Sequence, residues 1–435
     1  MSARSVVTAA LLFALALGAL GQRAALEVTP RCSRPFAPPA PSCFCSTSSA
    51  GHWTVTCGCP DDTFPAGQDV VLTPQLLPPA GRAADGLQIA LLGCRRAVRL
   101  SAELLTAADS RFSSISLEVR DTDHLVLPER PDGGRPGALR FSSVEAHFER
   151  VSVPRITGAL FSQRLSVNAT FDSVEIGEIA AGAFHQTLVA PEVRITDSRV
   201  GRIARGAFQL PVGTSSADSP LAGLRLLRSH VDEWSAGAHV GGVLVHVVDS
   251  HVAHLRRAAL STVGLVELRW TGSTVAEAEA EAVLQDSAPP PDLLPPADLT
   301  FINNTFRMAP DSSSTTGLLH FTTGVPSALQ FTDNLVEGAA AAPVTPAPRP
   351  DQVTGTRLQC RCELLRPWLT ESPPFAETAQ CAGGEEERRV AEFYQEECGG
   401  GRLRTLPDSA AGRLSVAAGI VAQLAVAVGL RRALA

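Results

Sequence analysis

The sequence predicts an α/β solenoid: short parallel strands stacked turn on turn, joined by irregular or helical returns and sealed at both ends by disulfide-bonded caps. Three observations predict it. A unit of alternating apolar residues recurs along the chain, cysteines gather near both ends, and none lies between Cys94 and Cys360. The unit is clearest in Val193-Arg-Ile195-Thr-Asp-Ser198-Arg-Val200-Gly-Arg-Ile203-Ala-Arg-Gly-Ala207-Phe208. Its apolar spacing starts at two, as in a strand with one buried face, and widens to three or four, as in a looser helical or extended return. One unit cannot cover its own apolar side, whereas stacked copies can.

Copies precede and follow it. Ala169/Phe171/Val174/Ile176/Ile179 closes on Ala183-Phe184, and Ala146/Phe148/Val151/Val153/Ile156 closes on Leu160-Phe161. Downstream come Leu224/Leu226/Ser229/Val231/Trp234, Val245/Val247/Ser250/Val252/Leu255 with Ala259-Leu260, and Leu268/Trp270/Ser273/Val275/Ala278. Leu299/Phe301/Asn304/Phe306 and Leu329/Phe331/Asn334/Val336 keep the strand half, while Ile89/Leu91/Cys94 and Leu117/Val119/Thr122 fit loosely. Gly213–Pro220 and Asp286–Pro296 are Ser/Pro-rich and read as surface loops that widen single repeats.

A chain of 435 residues would ordinarily hold about three globular domains of ~150 residues. A one-dimensional array escapes that arithmetic, because each repeat touches only its neighbours. The net charge of −7 argues against nucleic acid as the main partner. All the basic residues counted as Lys plus Arg are Arg, and Tyr occurs once. Bias toward GC-rich codons explains this more simply than a guanidinium-specific function.

Met1 to Gly21 joins a basic start at Arg4 to an apolar run from Val6 to Leu20, which reads as a secretory signal cleaved before Gln22. The cysteines that follow should therefore be oxidised. Cys32, Cys43, Cys45, Cys57 and Cys59 fall in an N-terminal cap over 22–69, Cys94 falls in an early repeat, and Cys360, Cys362, Cys381 and Cys398 fall in a C-terminal cap over 358–398. A solenoid needs its apolar ends covered, and a small cap gains most from disulfides. Zinc is the rival reading of the C-x-C pairs, but zinc sites usually separate paired cysteines by two or more residues. Cys59 with Cys94 is one expected pair; spacing does not fix the connectivity of the rest.

The repeats approximate L-x-L-x-x-N-x-I-x-x-I-x-x-x-A-F, with Ser, Thr, Cys or Val where Asn would stand. In this the chain resembles the extracellular leucine-rich repeat family in degenerate form. Cys32…Cys43-Phe-Cys45…Cys57 resembles that family's N-terminal cap, and Cys360-Arg-Cys362-Glu-Leu-Leu-Arg-Pro-Trp…Cys381…Cys398 its C-terminal cap. The resemblance implies a horseshoe solenoid over 70–337, display at the cell surface, and pairing of Cys360 with Cys381 and Cys362 with Cys398. It also implies protein binding in adhesion, signalling or development.

An Ala/Pro linker at 338–357 precedes the C-terminal cap and should be extended. After the cap, a spacer at 399–413 leads to an apolar tail at 414–435. Small residues at Gly399-Gly400-Gly401, a polar spacer and a terminal apolar run fit a glycosylphosphatidylinositol (GPI) anchor signal. A short single span ending at Arg431-Arg432 is the rival, and a fully secreted matrix protein the third possibility. All three leave the body outside the cell.

Catalytic and phosphate-binding signatures are missing: there is no G-x-S-x-G, H-E-x-x-H or P-loop. His230, His239, His246, His251 and His254 are close in sequence, but His230 and His251 share a repeat position, so exposed face histidines are the simpler reading than a metal cluster. Ala276 to Ala282, with Glu at every second place, reads as a solvated helical return. Asn168 and Asn303 begin N-x-Thr glycosylation sequons. The outward positions Arg194, Thr196, Arg225, Leu227, His246, Val248, Glu267 and Arg269 form the candidate binding face, a mix that suits a protein ligand better than a polyanion. The expected function is non-enzymatic recognition or adhesion at the cell surface, with no cofactor or metal. A polysaccharide-acting enzyme on a parallel β-helix is the alternative, and no carboxylate ladder at matching strand positions speaks for it.

Overall fold

The computed structural model describes residues 26–28, 42–47, 52–59, 69–78, 85–129, 143–162, 164–185, 192–209, 223–240, 244–261, 267–285, 298–309, 317–322, 328–338, 343–345, 348–362, 365, 378–382 and 388–399. The signal segment, Cys32, the Ser/Pro-rich loops and the anchor segment lie outside them. Within the described residues no helix is long and apolar enough to cross a membrane.

Each turn of the chain contributes up to three short strands, and each strand pairs in parallel with its counterpart one turn on. The first sheet runs through Ser166–Asp172, Glu192–Thr196, Gly223–Leu227, Leu244–Val248, Glu267–Thr271 and Asp298–Ile302. A second sheet runs through Glu175–Ile179, Arg199–Ile203, His230–Trp234, His251–Leu255 and Thr274–Ala278. The long strand Ser143–Ile156 belongs to both. A third, seven-stranded sheet starts with Phe184–His185 and Phe208–Gln209 and ends with Val344–Thr345. A four-stranded parallel sheet (Leu26–Val28, Val70–Leu72, Ala97–Leu100, His124–Val126) lines the N-terminal turns. The solenoid expectation therefore holds at the level of stacked parallel turns.

Of the helical and extended alternatives for the returns, most take the extended one, with Gly158–Phe161 a single helical turn, and the Glu-rich stretch over 276–282 is no helix: Thr274–Ala278 and Val283–Gln285 are both extended. The reason is the burial pattern of the second sheet, in which two neighbouring residues face outward between two buried ones. An apolar spacing of three then arises without helical pitch. Eight-residue helices occur at Ala102–Asp109, where the Ser101 hydroxyl caps the Leu104 amide, and at Val390–Glu397 in the C-terminal cap. The stretch read as a linker adds another turn: Val344–Thr345, Val353–Thr354 and Arg357–Leu358 extend the third, first and second sheets.

Inside, like residues stack on like. Phe148 lies on Phe171, and Phe161, Phe184 and Phe208 form a column with ring centroids about 5 Å apart (5.0, 5.1 and 5.0 Å). Burying each such ring stabilises by about 1.5–3 kcal/mol. At the corner between the first and second sheets, a polar ladder runs through the core. Ser198 accepts the Val174 amide, Ser229 that of Ser198, Ser250 that of Ser229, Ser273 that of Ser250, Asn304 that of Ser273 and Asn334 that of Asn304, at 2.9–3.1 Å. These side chains are all buried, and the ladder satisfies amides that the corner removes from strand pairing. The residue before each ladder position is left-handed: Asp121, Arg150, Ser173, Asp197, Arg228, Asp249, Gly272, Asn303, Asp333 and Gly355 all have positive φ. One sharp corner thus repeats down the column.

The ends are covalently tied. Cys43 pairs with Cys57, Cys59 with Cys94, Cys360 with Cys381 and Cys362 with Cys398. Cys45 is also disulfide-bonded. The Ser42–Thr47 strand closes the first sheet by pairing antiparallel with His52–Gly58. Among the described residues no cysteine is free, a state that belongs to an oxidising compartment.

Candidate recognition face

Strands of five residues set the site. In the first sheet, the second and fourth residues point inward, so the third and fifth form outer rows. The third-residue row is Thr170, Arg194, Arg225, His246, Arg269, Thr300; the fifth-residue row is Asp172, Thr196, Leu227, Val248, Thr271, Ile302. The first-residue row contributes Asn168, Glu192, Gly223, Leu244, Glu267 and Asp298. The structure brings all eight candidate residues onto this one face. Arg194, Arg225, His246 and Arg269 are direct register neighbours, as are Thr196, Leu227 and Val248; Glu267 stands one row away.

The face is only partly neutralised. Arg225 reaches Glu192 at 2.7 Å, while Glu267 takes both His246 at 2.9 Å and Arg269 at 3.4 Å. Arg194 is exposed, with no acidic partner among the described residues. Leu227 and Val248 are half-buried.

The second sheet is arranged differently. Along one outer row Arg155, Glu178, Arg202, Glu233, His254 and Glu277 follow one another strand by strand, so basic and acidic side chains alternate. Arg155 meets Glu178 at 3.0 Å and Arg202 meets Glu233 at 3.4 Å. The hydrogen bond from the Ser235 hydroxyl, then the charges of Arg202 and Arg256, hold Glu233 below the usual carboxylate range. His254 Nδ1 lies 3.0 Å from Glu277 without hydrogen-bond alignment. His230 and His251 stack at 4.7 Å, and His230 reaches Asp232 at 2.8 Å. Burial, then the neighbouring His230, lowers the His251 pKa. Among the described residues no group of three or more His, Cys, Asp or Glu could hold a metal.

The ridge between the two sheets carries its own ion pairs. Arg228 clamps Asp197 with two bonds, at 2.8 and 2.6 Å, and Arg150 grips Asp121 in the same way at 2.6 and 3.1 Å. Those bonds hold both carboxylates below their ordinary pKa. Sequence reasoning missed this row; its signal was an Asp, Asn, Gly, Arg or Ser before every ladder residue. The sequon asparagines are both exposed. Asn168 sits inside its strand, facing outward, and Asn303 occupies the ridge. Comparisons with protein families, curated proteins and solved structures find no match for this chain.

Proposed function

We propose that the chain is a non-enzymatic recognition or adhesion protein of leucine-rich-repeat type, held at the cell surface, which binds another protein through the outer face of its first sheet. The contrast between the two walls carries the reading. Charges on the second sheet alternate and cancel, as on a solvated wall, whereas the first sheet sets an incompletely compensated basic row beside a row of Thr, Leu and Val. Regular strand faces of stacked repeats offer long surfaces to protein ligands. Glycans at Asn168 and Asn303 would border this surface, and peptide-N-glycosidase treatment should lower the apparent mass.

The test is cell-surface staining with the soluble ectodomain. Staining lost in Leu227→Asp/Val248→Asp, but retained in a second-sheet variant such as Arg202→Glu, supports the face; equal staining by all three refutes it. Phosphatidylinositol-specific phospholipase should release the protein from cells if the anchor is GPI, and leave it in place if the tail is a spanning helix. The parallel β-helix enzyme is the second reading, favoured by the extended returns. Calcium-dependent shortening of polysaccharide chains by the purified protein would establish it.

A further inference from the structure

On four consecutive strands the first sheet presents Arg194, Arg225, His246 and Arg269 in one row, with Thr196, Leu227, Val248 and Thr271 in the next. Three arginines and a histidine face only Glu192 and Glu267 within that patch, and Arg269 remains half-exposed at 52%. The surplus is positive, and an apolar strip runs alongside it.

The geometry points to an acidic amphipathic α-helix of a protein partner as the occupant of this face, lying lengthwise down the column. This rests on the recognition reading above and narrows it to one shape and charge. Parallel strands repeat every ~4.8 Å, so the four rungs span about 14 Å. Side chains on one helix face recur each turn, every ~5.4 Å, and stay within about 2 Å of the rungs across the patch, a mismatch that a small tilt absorbs. An extended peptide running the same way puts same-side residues ~6.8 Å apart and falls out of step after two rungs. Laid parallel to the strands, it reaches only one or two rungs. A helix with Glu or Asp at i, i+4 and i+11 sets its carboxylates against Arg194, Arg225 and Arg269, while the adjoining apolar stripe covers Leu227 and Val248. A linear polyanion wide enough to cover the row also meets Glu192 and Glu267, which flank the cations in the first-residue row, and is repelled there.

The test uses the purified ectodomain and a fluorescent, hydrocarbon-stapled 14-residue helix bearing a Glu stripe beside a Leu stripe. Its controls are a scrambled peptide of identical composition, a Lys-stripe helix and a heparin fragment, all read by anisotropy. The acidic helix should bind at least about tenfold more tightly than the scrambled peptide, and Arg194→Glu/Arg269→Glu should weaken it by about tenfold or more. The Lys-stripe helix should then prefer that variant, a charge swap that loss of folding cannot mimic. Equal binding of striped and scrambled peptides, or indifference to the double variant, overturns the inference. Binding of heparin without the helix assigns the face to a polyanion instead. If cell-surface staining depends on Leu227 and Val248 while the helix fails to bind, the helix is wrong and the recognition reading survives. If both fail, the face itself is misassigned.

Discussion

Replacing Asn334 by Ala should loosen one rung by about 2–4 kcal/mol. Asn334 is fully buried. Its Oδ1 accepts the Asn304 backbone amide and the Asn304 Nδ2, both at 2.9 Å, and its Nδ2 donates to the Phe301 carbonyl at 2.9 Å. Alanine leaves the Asn304 amide with no substitute partner, at about 1–3 kcal/mol for an orphaned buried donor. The Asn304 side chain keeps its bond to the Trp270 carbonyl at 2.8 Å, so losing its second bond adds only about 0.5–1.5 kcal/mol. Ser229→Ala removes one acceptor, from the Ser198 amide at 3.1 Å, and should cost less. Stacked repeats open locally, so the assay is native-state hydrogen exchange at Asn304 and Ser198, with urea unfolding beside it. Less than about 0.5 kcal/mol of lost protection at Asn304 would refute the claim that the ladder supports the column.

Ala258 has a φ of 52°, so Ala258→Gly should stabilise by about 0.5–1 kcal/mol, while Gly237→Ala, at 64°, should cost about 1 kcal/mol; urea midpoints decide both. The lowered pKa of His251 makes the neutral ring the favoured folded form. Its contribution is complete above about pH 6.5 and fades as pH falls toward the folded value, so His251→Gln should flatten the change in melting temperature between about pH 7.5 and 5.5. The depressed Asp197 carboxylate stabilises above its unfolded pKa of about 3.9 and loses that effect as pH falls further. Asp197→Asn should therefore blunt acid unfolding below about pH 4, and an unchanged acid midpoint counts against the Arg228 clamp. Replacing both Cys362 and Cys398, separated by 36 residues, with Ser should cost about 3–4 kcal/mol, with faster exchange confined to the C-terminal turns.

The inward residues of the column were legible because burial leaves a mark in sequence. Val193 and Ile195, Leu224 and Leu226, and Val245 and Val247 alternate as strands must, and all are buried. Ser198, Ser229 and Asn304 could be aligned as one ladder because they hold one place between two apolar pairs. The returns were harder. Val275 and Ala278, three apart, fit a helix turn and equally a strand with two adjacent outward residues, and no local preference separates the two. The left-handed corner stayed hidden because Ser173, Asp197, Arg228 and Gly272 share a backbone conformation and no common side chain. Which outer residues stand side by side was the other gap. Glu178 stands beside Arg202 only because the turns align, across segments whose lengths the pattern does not fix.

Successive ladder residues lie 24, 31, 21, 23, 31 and 30 positions apart, yet each corner repeats the same hydrogen bond. The column thus counts its own storeys by their corners and ignores how much chain is spent elsewhere on a floor. Segments between a third-sheet strand and the next first-sheet strand, such as 210–222 and 286–297, become docking bays for foreign sequence. An epitope or a small folded cargo grafted there would ride on the tower without disturbing its masonry.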